Sequence, residues 1–218
     1  MKPVLTLHDL TMEAKTFCIE ETAVNHVKLL GVTDGKAVGT YVEHLFQKRL
    51  QDKYDVQIGN SANGIDLPDS NILTDIKVTS LEQPQSSCPF KNARQKIFGL
   101  GYNLLVFVYK KIDEPNVCKL NFKYCTFIDK TKTADYTTTK RLREMLKDGA
   151  NKEDLIAYLT DRNIPGDDTT YEEIAEALLA HTPEQGYLTI SNALQWRLQY
   201  SRVIKLNDSV NGVVNYEW

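Results

Sequence analysis

The sequence predicts an α/β domain: a mixed β-sheet core flanked by helices, with a C-terminal helical subdomain. Three observations predict it. Amphipathic stretches open the chain, an almost wholly apolar run "NLLVFVYKK" (103–111) sits mid-chain among alternating segments, and three short helical periods follow one another beyond about residue 135. With 218 residues, 42% of them hydrophobic and 25% charged, the chain can build one substantial core and a smaller lobe.

The elements follow in order. From about Leu10 to Leu30, the residues Leu10, Ala14, Phe17, Cys18 and Val24 fall at helical spacing, and "GVTDG" ends the run. "KAVGTYVEHLFQKRLQDK" carries Val38, Tyr41, Val42, Leu45, Phe46 and Leu50 on one stripe, a second helix. "YDVQIG", "NGIDL" and "NILTDIKVTS" are three strand candidates forming a meander, with "PDSN" (68–71) as the turn between the last two. "PFKNARQKIFGLGY" reads as a helix that stops at Gly99 to Gly101, glycines better suited to ending a helix than to a phosphate loop. The apolar run after it suits a buried central strand, and "VCKLNFKYCTFI" alternates as another. "TTTKRLREMLKDG", "NKEDLIAYLTDRNI" and "TTYEEIAEALLAH" are three helices parted by "GAN" and "PGDD". The expected division is an α/β core over 1–135, a helical subdomain over 136–186 and a closing segment over 187–218 that returns to the core. In that segment Trp196 and Tyr200, at i, i+4 spacing, are expected to pack.

No apolar run approaches the roughly 18 residues of a membrane span, and His8, Asp9 and Glu13 break the amino-terminal apolar stretch, unlike a signal peptide. Cys18, Cys88, Cys118 and Cys125 form no C-x-x-C pair, and the four histidines complete no zinc spacing. A cytoplasmic protein with reduced, buried thiols, no membrane contact and no organic cofactor is expected. The net charge of −3 conceals blocks. From Lys77 to Lys111 six basic residues face Glu82 alone, from Lys119 to Arg143 seven face two acids, and from Glu144 to Gln185 eleven acids face three bases. Such asymmetry permits a polyanion-binding face backed by an acidic lobe, although a solvated surface would read the same way.

"GIDLPDSNILTDIKVTS" concentrates charge where a core hairpin should be apolar. If Leu67 pairs with Ile72 across the turn, Asp66 shares a sheet face with Asp75 and Lys77. Two carboxylates held together repel unless a cation lies between them. Mg²⁺ suits the pair, since it takes one or two carboxylates, keeps several waters and accepts substrate phosphate oxygens. The backbone carbonyl of Ile76 could add an oxygen, and Lys77 would stand beside the attacking water. Alternating charge on a solvated hairpin is the plain alternative.

Asp66, then Asp75, Ile76 and Lys77 after a nine-residue step, resemble the D…(D/E)-x-K signature of the PD-(D/E)XK nucleases. "GID…TDIKVTS" is most similar to the type II restriction endonucleases. The resemblance covers about Ala37 to Lys111. It implies a Mg²⁺-dependent endodeoxyribonuclease acting on double-stranded DNA, with a further carboxylate from the helix before the meander, here Glu43. The literal Pro-Asp of the signature is Pro68-Asp69, but Asp69 falls in the turn, so the role goes to Asp66 with Asp69 as second choice. His44, beside Glu43, has no nucleophile partner and reads as structural. A junction-resolving or repair nuclease would share the catalytic residues, whereas a non-catalytic DNA-binding protein would need none of them.

One site per chain and two strands to cut imply a homodimer. Lys91, Arg94 and Lys96, expected at the surface, are candidates for phosphate contact. Asn192, Gln195, Arg197, Gln199 and Arg202 form the densest set of amides and guanidiniums, suited to adenine and guanine edges. If that stretch is a helix, Asn192, Gln195 and Gln199 share a face.

Overall fold

The computed structural model describes residues 2–59, 64–89, 92–192, 195–206 and 210–218, and for Pro89 and Gln195 the backbone alone. It is a mixed α/β structure of two sheets and, among the described residues, six α-helices. Helix α1 (Leu7–Ala23) begins before Leu10 because Thr6 and Asp9 cap each other: the Thr6 hydroxyl accepts from the Asp9 amide at 3.1 Å, and the Asp9 carboxylate accepts from the Thr6 amide. It stops short of the expected Leu30. The Asn25 side chain accepts from the Cys118 amide at 2.9 Å while the His26 amide donates to the Cys118 carbonyl at 2.8 Å, which draws the chain onto a strand. Helix α2 (Gly35–Lys53) starts on Asp34, whose side chain accepts from the Lys36 amide.

The strands are β1 (Thr74–Ser80), β2 (Gln85–Pro89), β3 (Asn103–Glu114), β4 (Val117–Ile128), β5 (Thr189–Ile190), β6 (Gln195–Gln199) and β7 (Val213–Glu217). A central sheet runs β1-β3-β4-β7, with β1 parallel to β3 and the other pairs antiparallel. Residues 103–109 of β3 are buried on both faces. Leu105, Phe107 and Tyr109 meet α1 and α2, where Phe17, Phe46, Phe107 and Phe122 stack with centroids from 5.1 to 6.1 Å apart. Leu104, Val106 and Val108 face the second, smaller sheet, ordered β2-β6-β5.

That small sheet corrects two expectations. "QSSCP" is strand β2, and the expected helix over 89–102 shrinks to α3 (Arg94–Phe98). Residues 195–199 form a strand and not a helix: Trp196, Leu198 and Tyr200 are buried against Val106 and its neighbours, while Arg197 and Gln199 are exposed. An i, i+4 pair lies on one face in either geometry, so Trp196 and Tyr200 are both buried in this core, as expected but for a different reason. The meander is also reduced. Tyr54–Gly59 contributes one bridge, Val4 with Asp55, and residues 64–67 contribute one, Leu67 with Thr74.

Helices α4 (Tyr136–Lys147), α5 (Lys152–Asp161) and α6 (Asp168–Ala180) are capped by Asp135, Asn151 and Asp167. Leu142, Leu155, Leu159, Ile174 and Leu178 form their core with Ile97 of α3. The chain enters and leaves this subdomain at one place, where Asp135 bridges Leu188 and its carboxylate accepts from the Thr138 and Ile190 amides, each at 2.8 Å. All four cysteines are buried thiols with no disulfide among them. Among the described residues no helix is long and apolar enough to cross a membrane.

Candidate active site

Leu67 pairs with Thr74, not Ile72, because the Asp69 carbonyl accepts from both the Ile72 and Leu73 amides and lengthens the turn. The shift is by two residues, so it preserves the face: Asp66 now stands opposite Asp75. One Asp66 oxygen accepts from the Ile76 amide at 2.6 Å. Amide and carbonyl of one strand residue point to the same side, which leaves the Ile76 carbonyl on the outer edge of β1. Asp69 turns elsewhere, accepting from the Gln57 amide at 3.3 Å.

A cleft of ≈ 520 Å³ opens at this edge, lined by Glu43, His44 and Gln47 of α2, by Gly59, and by Asp66, Asp75, Ile76 and Lys77. Lys77 Nζ lies 2.7 Å from an Asp75 carboxylate oxygen, and the Asp75 side chain is only 6% exposed. Burial, and Asp66 at hydrogen-bonding distance, raise the Asp75 carboxyl to about 7 against the pull of Lys77. Glu43 is also raised to about 7, by burial first and then by the charge and contact of Asp66, with Lys77 and Gln47 opposing. For Lys77, burial disfavours the charged form, yet Asp75 and Asp66 outweigh it and the ammonium is held more firmly than usual. Three acids therefore share one cation.

This donor set fits a divalent metal. Among the described residues no group of three or more His, Cys, Asp and Glu side chains forms a metal shell by itself. What the cleft offers is one or two carboxylates and a backbone carbonyl, donors that suit a hard ion taking water and phosphate for the rest.

Two contributors escaped sequence reasoning. Gln47 Nε2 donates to Glu43 Oε1 at 3.1 Å, one helical turn along α2, and the i, i+4 spacing was the available signal. Gly59 donates its amide to the Asp66 carbonyl at 2.8 Å, and a Cβ there would stand 1.9 Å from the Ile65 carbonyl oxygen. Only glycine allows the loop bearing Asp66 to come this close. His44 is exposed at the cleft rim.

Residues 4–215 match a family model described as type II restriction enzyme NspV. The chain belongs to the NspV family of type II restriction enzymes. It is 49% identical over 213 residues to the type II restriction enzyme NspV of a Nostoc species, covering 97% of this chain and 96% of that one. A crystal structure of the tetrameric restriction endonuclease SfiI bound to cognate DNA aligns more loosely, at TM-score 0.38 and 12% identity over 100% of this chain and 89% of that one. As an NspV-family enzyme the chain is a sequence-specific endonuclease, a phosphodiester hydrolase that binds DNA.

The residues expected to touch DNA are not one patch. Lys91 lies outside the described residues. Arg94 opens α3 with its guanidinium 5.0 Å from the centre of the Phe98 ring. Lys96 corrects the expectation of exposure: it is buried at 5%, and its Nζ donates to the Ile190 carbonyl at 2.6 Å and to the Asn192 carboxamide. Asn192 in turn donates to the Arg162 carbonyl at 2.8 Å. These two side chains tie α3, the end of α5 and β5 together. Arg202 stacks on Tyr136 at 3.8 Å, whereas Arg197 and Gln199 stand exposed on β6.

Proposed function

We propose that this NspV-family enzyme cuts double-stranded DNA in a Mg²⁺-dependent reaction carried by Asp66, Asp75, Lys77 and Glu43. The observation that supports it is the excess of carboxylates over cations in the β1 cleft. Asp66, Asp75 and the Ile76 carbonyl would hold the metal. When bound, Mg²⁺ supplies Lewis-acid charge that makes water more acidic and offsets the phosphate's negative charge.

The chain's own groups do the rest. Hydrolysis adds water to phosphorus and breaks one P–O bond, so a proton must leave the attacking water and negative charge builds on the phosphoryl oxygens. Lys77, kept protonated by Asp75, stabilises that charge and orients the water as a donor. Glu43, raised to about 7 in the metal-free cleft by burial and Asp66, stands where it can accept a proton, and Gln47 donates to it and fixes its carboxyl. Arg197 and Gln199 read base edges, while Lys91 and Arg94 meet phosphates. Lys96 and Asn192 serve recognition by bracing β5. The enzyme works in the cytoplasm as a homodimer, two cleft sites addressing the two strands, with residues 136–186 as a scaffold.

The test is digestion of phage DNA by the purified protein. Discrete fragments with Mg²⁺, none after chelation, and Ca²⁺-supported binding without turnover are expected. Cleavage retained by Asp75→Ala would overturn the proposal. Light scattering on cognate duplex should give two chains per site, whereas one chain per site would mean sequential nicking.

A further inference from the structure

The outer face of the small sheet has a composition that its fold does not explain. Strand pairing sets Gln85 beside Gln199 and Gln199 beside Thr189, one row across all three strands, and sets Ser87 beside Arg197 in a second row. Gln85 is half-buried and the other four are exposed, while the alternate positions Cys88, Trp196, Leu198 and Ile190 are buried beneath them. Among the described residues these five side chains have no hydrogen-bond or ion-pair partner, and no acid stands in either row. A sheet face kept for solubility alone would carry lysines and acids of both signs. This one carries two amides, two hydroxyls and an unpaired guanidinium.

Its place relative to the cleft matters as much. Asp75 and Lys77 pair with Leu104 and Val106, so they project on the side of the central sheet that the small sheet covers. Thr79, two residues past Lys77, donates to the Gln83 and Gln85 carbonyls and accepts from the Gln85 amide, fastening the start of β2 to the end of β1. Tyr200, next to Gln199, is buried, and its hydroxyl hydrogen-bonds with that of Ser86 in β2 at 2.5 Å. Lys96 and Asn192 brace β5 from below. Hydrogen bonds thus join the face to β1.

We propose that this face is a single base-reading surface for the major groove of double-stranded DNA, in which Gln85, Ser87 and Thr189 act beside Arg197 and Gln199. The inference rests on the reading above, that Arg197 and Gln199 contact bases. Strands lie about 4.8 Å apart, so the Thr189–Gln199–Gln85 row is roughly 10 Å wide, within a major groove of about 12 Å. Along β6, Arg197 and Gln199 are roughly 6.7 Å apart, one or two base pairs at about 3.4 Å each. Glutamine pairs bidentately with adenine and arginine with guanine. The glutamine row therefore reads an A·T pair and the Arg197 row a neighbouring G·C pair.

The experiment measures binding in Ca²⁺ to the cognate duplex and to each single-base-pair variant of it, with melting temperatures as a folding control. Gln199→Ala and Gln85→Ala should relax discrimination at one shared A·T pair by roughly 5- to 150-fold. Arg197→Ala should do so at a G·C pair one or two steps away, and remove protection of that guanine N7 from methylation. If Gln199→Ala relaxes one position while Gln85→Ala, Ser87→Ala and Thr189→Ala change no ratio, the shared surface is wrong and the Arg197/Gln199 reading stands. If Arg197→Ala and Gln199→Ala weaken all duplexes equally, that reading fails and the surface with it.

Discussion

In the cleft, Asp75 is 4% exposed, its neighbours are charged, and burial pushes two carboxyls to about 7. Across the Trp196 and Tyr200 wall, the outer face of the small sheet is solvated, uncharged apart from Arg197, and free of acids. Burial makes a few charges reactive on one side, and exposure keeps polar groups available for exchange with base edges on the other. If the cleft cuts and the face reads bases, as proposed, cutting and choosing are separable here, although a single turn of chain from Thr79 to Gln85 joins them. Changes in the cleft should alter rate and leave sequence preference intact, and changes on the face should do the reverse.

The largest break in that symmetry should come from Lys77→Met. Cleavage in single turnover should fall by on the order of 10²–10³, while the cognate to non-cognate binding ratio in Ca²⁺ holds. A changed ratio would mean that the two regions are one. Gly59→Ala should be next. The added methyl group displaces the Ile65–Asp66 backbone, and misplacing Asp66 by about 1 Å should cost up to about 10² in rate, read as single-turnover cleavage at saturating metal. Wild-type rates from that variant would show that the loop yields elsewhere.

Gln47→Leu sharpens the comparison within the cleft itself. Without its donor, Glu43 no longer holds its place against Asp66, one of the acids proposed to hold the metal, so the Mg²⁺ concentration needed for half-maximal cleavage should rise roughly tenfold, with Gln47→Glu no better. An unchanged metal titration would reduce Gln47 to a packing residue. The smallest effect concerns pH. Glu43 and Asp75 have folded-state pKa values raised by burial above their unfolded values, so their neutral forms stabilise the metal-free protein fully below the ordinary carboxylate range. That contribution is lost as pH rises from about 4 through about 7. The melting-temperature advantage of the wild type over Asp75→Asn in chelator should therefore shrink across this window, the other carboxylates being common to both proteins. An advantage that grows with pH would refute the assignment.

Much of the site was legible because its signals are local. Asp66, Asp75 and Lys77 lie within one short stretch, and the turn error of two residues left their shared face unchanged. Each helix of the subdomain carries its own cap, Asp135, Asn151 or Asp167, and its own period. The small sheet was not legible. "QSSCP" has little strand propensity, and it becomes β2 through a partner more than a hundred residues away. Lys96 looked like a surface cation since nothing near it in sequence announces Ile190 or Asn192 as its acceptors. Gly59 gave no sign of the backbone that crowds it.

The pairing of Gln85–Pro89 with Gln195–Gln199 also fixes an order in time. Contacts that close a loop this long form late, after local ones have repaid their entropy. A chain emerging from the ribosome has all the cleft acids once residue 77 is out, but it has only β2 of the small sheet until β5 and β6 follow. The face proposed to read bases is therefore completed only once residue 199 is out, with β7 of the central sheet following it, and translation halted before residue 189 would leave the cleft acids without β5, β6 and β7.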